Sequence, residues 1–258
     1  MNVSPGSALT PARGTDAARG LQWWSSAVAW LFTDVAQLGV WVLMALVFFV
    51  VTVLLHFVPL LGSVASFLLH FVLSGGLLLA AARSARREVP PFGDLFAGFG
   101  PRAGQLIALG LLVFVACLMV FAAMAAVGLV AAVSAIGGGL LNSMTLPDPA
   151  AWGIGLGTAG LLLLCLLALI PISMAAWLAP ALVMLRGVPP VEALRLSLSA
   201  CMGNLAALTV YGLVAIFLAI VATLLLGLGW LVVLPLAFLS TYAAFQDLFP
   251  EGAVEVIG

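Results

Sequence analysis

The feature that most constrains this chain is a succession of long apolar runs, which leaves too few charges to cover a surface in water. Hydrophobic residues make up 65% of the 258 residues and charged residues only 7%, whereas a soluble domain carries about 25% charged residues. A transmembrane helix needs roughly 20 consecutive apolar residues. We therefore predict an all-α membrane protein with six spans, at 35–58, 63–82, 105–134, 154–185, 205–226 and 230–246.

The basic residues agree with this span count. All 8 of them are arginines, and they precede span one or lie between spans two and three or four and five. Six spans place these three regions on one side of the membrane. Since cytoplasmic loops carry an excess of basic residues, we expect both termini in the cytoplasm. The balanced net charge of −1 gives no support for binding nucleic acid.

One stretch of the sequence occurs twice. The segments that start at Arg87 and Arg186 both fit the frame R-x-V-P-P-x3-L-x8-G-[QN]-L-x-A-L without a gap. A proline in the first turn of a helix costs no hydrogen bond, so we expect Pro91 and Pro190 each to begin a helix. Gly104 and Gly203 would then allow the turn into the span, where Gln105 and Asn204 can bond freed backbone groups.

This repeat predicts three helical hairpins, each preceded by an interfacial amphipathic segment, at 17–34, 87–104 and 186–204. We call these segments the first, second and third lead-ins. The second and third should superpose over 87–128 and 186–227 as bend, interfacial helix and membrane helix. The first lead-in shares only the amphipathic pattern, with one apolar and one polar face, formed by Trp24, Val28, Leu31 and Val35 and by Gln22, Ser26, Ala29 and Thr33. Internal repeats of this kind are common in transporters, but duplication also builds inert scaffolds.

The remaining segments complete the domain organisation. We expect a disordered cytoplasmic tail at 1–16, a single membrane domain at 17–247 and a cytoplasmic tail at 248–258. The sizeable far-side loop should cover 137–151, which is rich in glycine and proline. Pro171 and Pro180 fall inside span four and predict a tilt or a kink there.

The third lead-in also carries a resemblance. The run from Val188 to Ser197, followed by Gly203 and Asn204, resembles a family of uncharacterised proteobacterial six-helix inner-membrane proteins. The family is broadly similar to the membrane domain fused to some glycerophosphodiester phosphodiesterases. The closing Tyr242-x2-Phe245-x-Asp247-x-Phe249 resembles the same group. The resemblance implies a six-helix membrane fold and a location in the bacterial inner membrane. It implies no catalytic residues, because the phosphodiesterase activity of such fusions belongs to a separate soluble domain.

Three polar residues in or beside the spans are candidates for function. An ionisable group inside a membrane is a functional hypothesis by default. His56 and His70 share one hairpin and could relay a proton or hold a metal, although a third ligand at the same depth is not visible. A neutral, hydrogen-bonded histidine is the structural alternative. Asp34 opens span one and could couple to protons, but such a residue also caps helices.

No catalytic motif appears among the patterns we searched, so we predict no catalytic residues, cofactor or metal and no enzyme activity. The expected function is that of a non-catalytic membrane scaffold or accessory component. A small-solute or lipid transporter is the alternative, and a membrane-embedded enzyme is the third. The expected partners are the lipid bilayer and other membrane proteins or a second copy. Small residues in span three and Gly153-x3-Gly157 suit close helix packing, either internal or between copies.

Overall fold

The computed structural model describes residues 14–59, 61–141 and 149–250, and of 135–141 and 149–156 it describes the backbone alone. Every regular element in these ranges is helical, as the sequence predicts. The α-helices are α1 (Ala18–Leu31), α2 (Val35–His56), α3 (Leu61–Ala85), α4 (Ala103–Leu141), α5 (Pro149–Arg186), α6 (Pro190–Gly203), α7 (Leu205–Leu224) and α8 (Trp230–Leu248). A 3₁₀ helix, Phe92–Phe99, precedes α4.

Six of the described helices are long and apolar enough to cross a membrane, namely α2, α3, α4, α5, α7 and α8. The expected far-side loop is shorter than 137–151, because α4 continues to Leu141 and α5 begins at Pro149. The glycine run in this region does not end α4. In lipid, a helix is favoured even with glycine because it satisfies its backbone hydrogen bonds internally. Residues 142–148 lie outside the described ranges, as do 1–13 and 251–258 of the two expected tails.

The chain divides into two compact units. One unit extends to Leu111 and resumes at Met174, and the other comprises 112–173. In the first unit, the buried side chains concentrate in α1, the second halves of α3 and α8 and the last turns of α5. In the second unit, the described parts of α4 and α5 expose most of their large apolar side chains, as lipid-facing helices do.

Helix α1 packs mainly against α8 and α7. Its buried face consists of Gly20, Trp23, Trp24, Ala27 and Leu31. Of the predicted apolar face, Trp24 and Leu31 belong to this buried face, whereas Val28 is 44% and Val35 84% exposed. Gly20 determines which face of α1 contacts the bundle, because a Cβ at this position would lie 2.2 Å from the carbonyl oxygen of Ala207. Helix α1 therefore turns Gly20, Trp23 and Trp24 towards the bundle and Val28 away from it.

The second and third lead-ins both pack back onto the helix that precedes them. The 3₁₀ helix contacts α3, where a Cβ at Gly98 would lie 1.9 Å from the carbonyl oxygen of Val72. In the third lead-in, the hydroxyl of Ser197 accepts a hydrogen bond from the backbone of Leu178 in α5 (3.1 Å) and donates one to Met174 (2.7 Å). Gly98 and Ser197 occupy the same position of the repeat.

The two lead-ins differ in their helix type and boundaries. Pro190 begins α6 as predicted, but Pro91 only precedes the 3₁₀ helix, with an extended ψ of 144°. The turn into α4 comes at Gly100 and Pro101, so the prediction for Gly104 was wrong by a few residues and this glycine lies inside α4. In the third lead-in, the Asn204 side chain donates to the carbonyl oxygen of Ala200 (2.8 Å), as expected for a freed backbone group.

Candidate functional site

Asp34 caps the start of the α2 helix. It is the N-cap of α2, and its carboxylate accepts a hydrogen bond from the backbone of Ala36 (3.3 Å). The side chain is exposed. An Asp at this position satisfies one of the unpaired N–H groups at a helix start and interacts favourably with the helix dipole.

The two histidines are both exposed on the surface of the helix bundle. The His56 ring nitrogen Nδ1 lies 2.7 Å from the carbonyl oxygen of Thr52, one turn earlier in α2. The His70 ring meets Phe48 and Phe71 edge-on, with both ring centroids 5.8 Å away. In the described ranges, no three His, Cys, Asp or Glu side chains converge as metal ligands would. His70 therefore has aromatic neighbours in α2 and α3.

The structure builds a different polar site between α1 and α8. A cavity of about 300 Å³ opens there, within the first unit. We call it the α1–α8 cavity. Its lining combines one positive and one negative side chain with amides, a hydroxyl and two indole rings; the residues are Arg19, Gln22, Trp23, Ser26, Trp30, Ala243, Gln246 and Asp247.

An ion pair between Arg19 and Asp247 joins α1 to α8 in this cavity. The other carboxylate oxygen of Asp247 accepts a hydrogen bond from Nε1 of Trp23 (3.0 Å). Arg19 also donates to the side-chain oxygen of Gln22 (3.1 Å). The Asp247 side chain is 16% exposed and that of Arg19 is 47% exposed. The carboxylate is thus held in place by two donors, while the guanidinium keeps N–H groups facing outward.

An aromatic cluster lies behind the cavity. The ring of Tyr211 stacks on Trp24, with centroids 5.0 Å apart, and tilts against Trp177 at 4.9 Å and Trp23 at 5.9 Å. The Tyr211 hydroxyl is 3.1 Å from the hydroxyl of Ser240 in α8. Buried aromatic rings with satisfied polar atoms fix the helices that carry them. This cluster holds α1 against α7, α8 and the end of α5.

Further arginines connect the elements at the same end of the first unit. Arg83 in α3 forms an ion pair with Asp94 in the 3₁₀ helix (2.9 Å). Burial raises the pKa of the Asp94 carboxyl, and the neighbouring Arg83 opposes that rise. Arg102 donates to the carbonyl oxygens of Val183 (3.1 Å) and Met184 at the end of α5. Arg186 donates to the carbonyl oxygen of Phe249 (2.6 Å).

Sequence reasoning did not identify Arg19, Asp247 or the α1–α8 cavity. The predicted topology could have indicated this site, because it places the start of the first lead-in and the end of span six on the same side of the membrane. A lone arginine and a lone aspartate, 228 positions apart, become neighbours only through the packing of α1 on α8. In the first lead-in, Trp23 and Trp24 are buried in the bundle.

The fold defines a multi-pass helical membrane protein with a small polar cavity at its arginine-bearing end. The chain is 31% identical over 221 residues to Probable inner membrane protein BTH_II0599 of Burkholderia thailandensis; the match covers 76% of this chain and 79% of the relative. The chain belongs to the family of this inner-membrane protein. No family model matches the chain, and no solved structure matches it.

Proposed function

We propose that this protein is a non-catalytic scaffold or accessory component of the inner membrane. The observation that carries the proposal is the set of arginine contacts at one end of the first unit. Each of four arginines links two different elements: α1 to α8, α3 to the 3₁₀ helix, the start of α4 to α5, and α5 to the residue after α8. These contacts favour one fixed arrangement of the helix ends.

A bundle that moves between two arrangements would have to break contacts of this kind. A hydrogen bond to a charged group contributes roughly 1.5–3 kcal/mol. A transporter alternates between two arrangements by moving one repeat against the other. Arg102 belongs to the second lead-in and bonds the last turn of α5, which leads into the third lead-in, so it links the first copy of the repeat to the start of the second. Movement between the copies would lose this contact.

A scaffold also needs a surface for its partners. In the second unit, Ala125, Gly128 and Ala132 form an exposed stripe of small residues along α4, and a Cβ at Gly128 would meet no atom within 4 Å. Small residues let another membrane helix approach closely. This stripe supports a membrane-protein partner or a second copy as the component that the scaffold holds.

Distance measurements between the two copies test the proposal. Spin labels would replace Gly93 in the 3₁₀ helix and Glu192 in α6, both exposed, in a protein whose native cysteines Cys117, Cys165 and Cys201 are changed to alanine. In nanodiscs, pulsed electron paramagnetic resonance should give one narrow distance distribution. Two separate distance populations in the labelled protein that retains Arg102 would contradict the scaffold proposal and favour a transporter.

Two arginine variants serve as controls for this measurement. Arg102→Met removes the contact between the copies and should broaden the distribution. Arg195→Met removes an exposed arginine of α6 and should leave it unchanged. Equal distributions in all three proteins would show that the Arg102 contact does not restrain the copies.

The orientation of the termini belongs to the same proposal. The one-sided arginines support cytoplasmic termini. A cysteine at residue 95 or 250 should resist a membrane-impermeant reagent in intact cells, and one at residue 145 should react. The reverse pattern would contradict this orientation. The similarity to membrane domains fused to glycerophosphodiester phosphodiesterases stays a hypothesis, which a structure of such a domain without the two matching lead-ins would refute.

A further inference from the structure

The α1–α8 cavity has the features of a binding site that go beyond a scaffold role. Ligand sites combine a concave shape of roughly 300–1,000 Å³ with a few convergent polar groups, and this cavity of about 300 Å³ reaches the lower end of that range. Its α1 residues recur at helical spacing, so Arg19, Ser26 and Trp30 share one face of the helix. The cavity is therefore a property of the α1–α8 packing.

The charges of the cavity select the kind of ligand. Arg19 and Asp247 are in direct contact. An anion that binds the guanidinium is therefore repelled by the carboxylate, and a cation that binds the carboxylate is repelled by the guanidinium. A zwitterion satisfies both charges without repulsion. Arg19 retains outward N–H groups for an anion, since its side chain is 47% exposed. The carboxylate oxygens of Asp247 have lone pairs beyond those used by Arg19 and Trp23.

The position of the cavity along α8 indicates which compounds can reach it. Asp247 is one residue from the end of α8. The 19 residues of this helix span about 28 Å, close to the roughly 30 Å thickness of the hydrocarbon core. The cavity thus lies at the level of the lipid headgroups, where phosphate groups are abundant. Trp30, which is half-buried, supplies an amphipathic ring of the kind that this layer favours.

We infer that the α1–α8 cavity binds an ammonium–phosphate zwitterion, with the phosphate on Arg19 and the primary ammonium group on Asp247. Two sources share this chemistry: the headgroup of phosphatidylethanolamine, and its soluble deacylated form, glycerophosphoethanolamine. Phosphatidylglycerol has no cation for Asp247. Phosphatidylcholine has a cation that cannot donate a hydrogen bond to the carboxylate.

A lipid-retention experiment tests this assignment. The full chain would be extracted from nanodiscs that contain phosphatidylethanolamine, phosphatidylglycerol and phosphatidylcholine in equal amounts, and the retained lipids would be counted by native mass spectrometry. The cavity predicts enrichment of phosphatidylethanolamine over both competitors by about tenfold, the affinity that one charge-assisted hydrogen bond supplies. In a second arm, glycerophosphoethanolamine would be titrated against the detergent-solubilised protein by calorimetry. Saturable binding of the soluble compound without lipid enrichment identifies the soluble source and still supports the zwitterion site.

Variants separate the cavity from general lipid contact. Asp247→Asn should abolish the preference, and Glu192→Gln, an exposed carboxylate on α6, should preserve it. Because Asp247→Asn also breaks the ion pair to α1, Ser26→Leu provides a second test, since it fills the cavity and leaves both charges in place. The inference is overturned if neither compound is preferred, or if the preference survives both Asp247→Asn and Ser26→Leu in folded protein. Loss of zwitterion binding with unchanged spin-label distances would separate this result from the scaffold proposal.

Discussion

The second and third lead-ins have matching sequences but reach their partner helices by different means. In the second, Gly98 brings the 3₁₀ helix so close to α3 that a Cβ would lie 1.9 Å from a backbone oxygen. In the third, Ser197 reaches α5 with a hydroxyl that bridges Met174 and Leu178. Backbone contact through glycine needs no hydrogen bond, and a serine contact keeps a Cβ. One sequence frame thus supports two kinds of helix contact at equivalent positions.

Composition explains why one lead-in is 3₁₀ and the other α-helical. The second lead-in has Gly93, Gly98, Gly100 and Pro101 where the third has Glu192, Ser197, Ser199 and Ala200. Glycine and proline disfavour an α-helix interior by about 1 and 3 kcal/mol relative to alanine. The 3₁₀ helix therefore ends after eight residues, while α6 continues for fourteen. The repeat therefore preserves a contact with the preceding helix at the position of Gly98 and Ser197, and not the helix type.

The largest effect should come from adding a side chain at the glycine contact. Gly98→Val places atoms where the α3 backbone lies, and overpacking of this kind costs about 3 kcal/mol. Unfolding in SDS-titrated mixed micelles would measure it. Gly93→Val is the matched control in the same helix, because a Cβ there meets no atom within 4 Å. Equal losses in both variants would show that valine disturbs the 3₁₀ helix itself, and not its contact with α3.

A smaller effect should follow from Arg83→Met, which leaves the carboxyl of Asp94 buried without its cation. Breaking a partly exposed pair of this kind should cost about 2 kcal/mol at neutral pH. Burial holds the pKa of Asp94 above its ordinary value of 3.8. Between pH 3.8 and the raised pKa of Asp94, the folded protein therefore binds more protons than the unfolded chain. The stability of the folded protein falls as the pH rises through this range. The third lead-in has Ala193 at this position and lacks this source of pH dependence.

The pH profile distinguishes this explanation from lost packing. Removing Arg83 takes away the interaction that lowers the pKa of Asp94, so the loss should shrink at about pH 5, where more of the carboxyl is protonated. Arg86→Met, which affects an exposed pair with Glu88, should change stability by less than about 1 kcal/mol. A loss in Arg83→Met that does not vary with pH would contradict the electrostatic account.

The smallest effect should come from Ser197→Ala, at about 1 kcal/mol. The substitution removes the bridging hydroxyl but keeps the Cβ that packs on α5. The same unfolding assay applies, with the exposed Ser25→Ala in α1 as the control. An unchanged stability would mean that the Leu178 N–H and the Met174 carbonyl oxygen are satisfied without Ser197, and that the serine hydroxyl adds no net stability.

The sequence predicted the helical spans because lipid imposes a simple rule on each segment separately. A run of apolar residues must form a helix to satisfy its backbone, so α2, α7 and α8 begin at the predicted positions 35, 205 and 230. The Pro-Pro bend was readable for the same reason, as proline acts on its immediate neighbours. The path through the second and third lead-ins follows from these local rules.

Tertiary structure decided which surfaces of the helices meet, and with them the candidate site. The predicted face of α1 missed its glycine contact with Ala207, because the effect of a small residue depends on what approaches it. Arg19 and Asp247 form a site only after α1 packs on α8, and neither residue carries a local signal of its partner. The ring of His70 contacts the rings of Phe71 and Phe48, and the sequence pattern did not place Phe48 beside it. The sequence by itself determined that the chain is a six-span membrane protein, since solvation by lipid acts residue by residue. Which polar groups meet was decided by packing between helices far apart in the sequence.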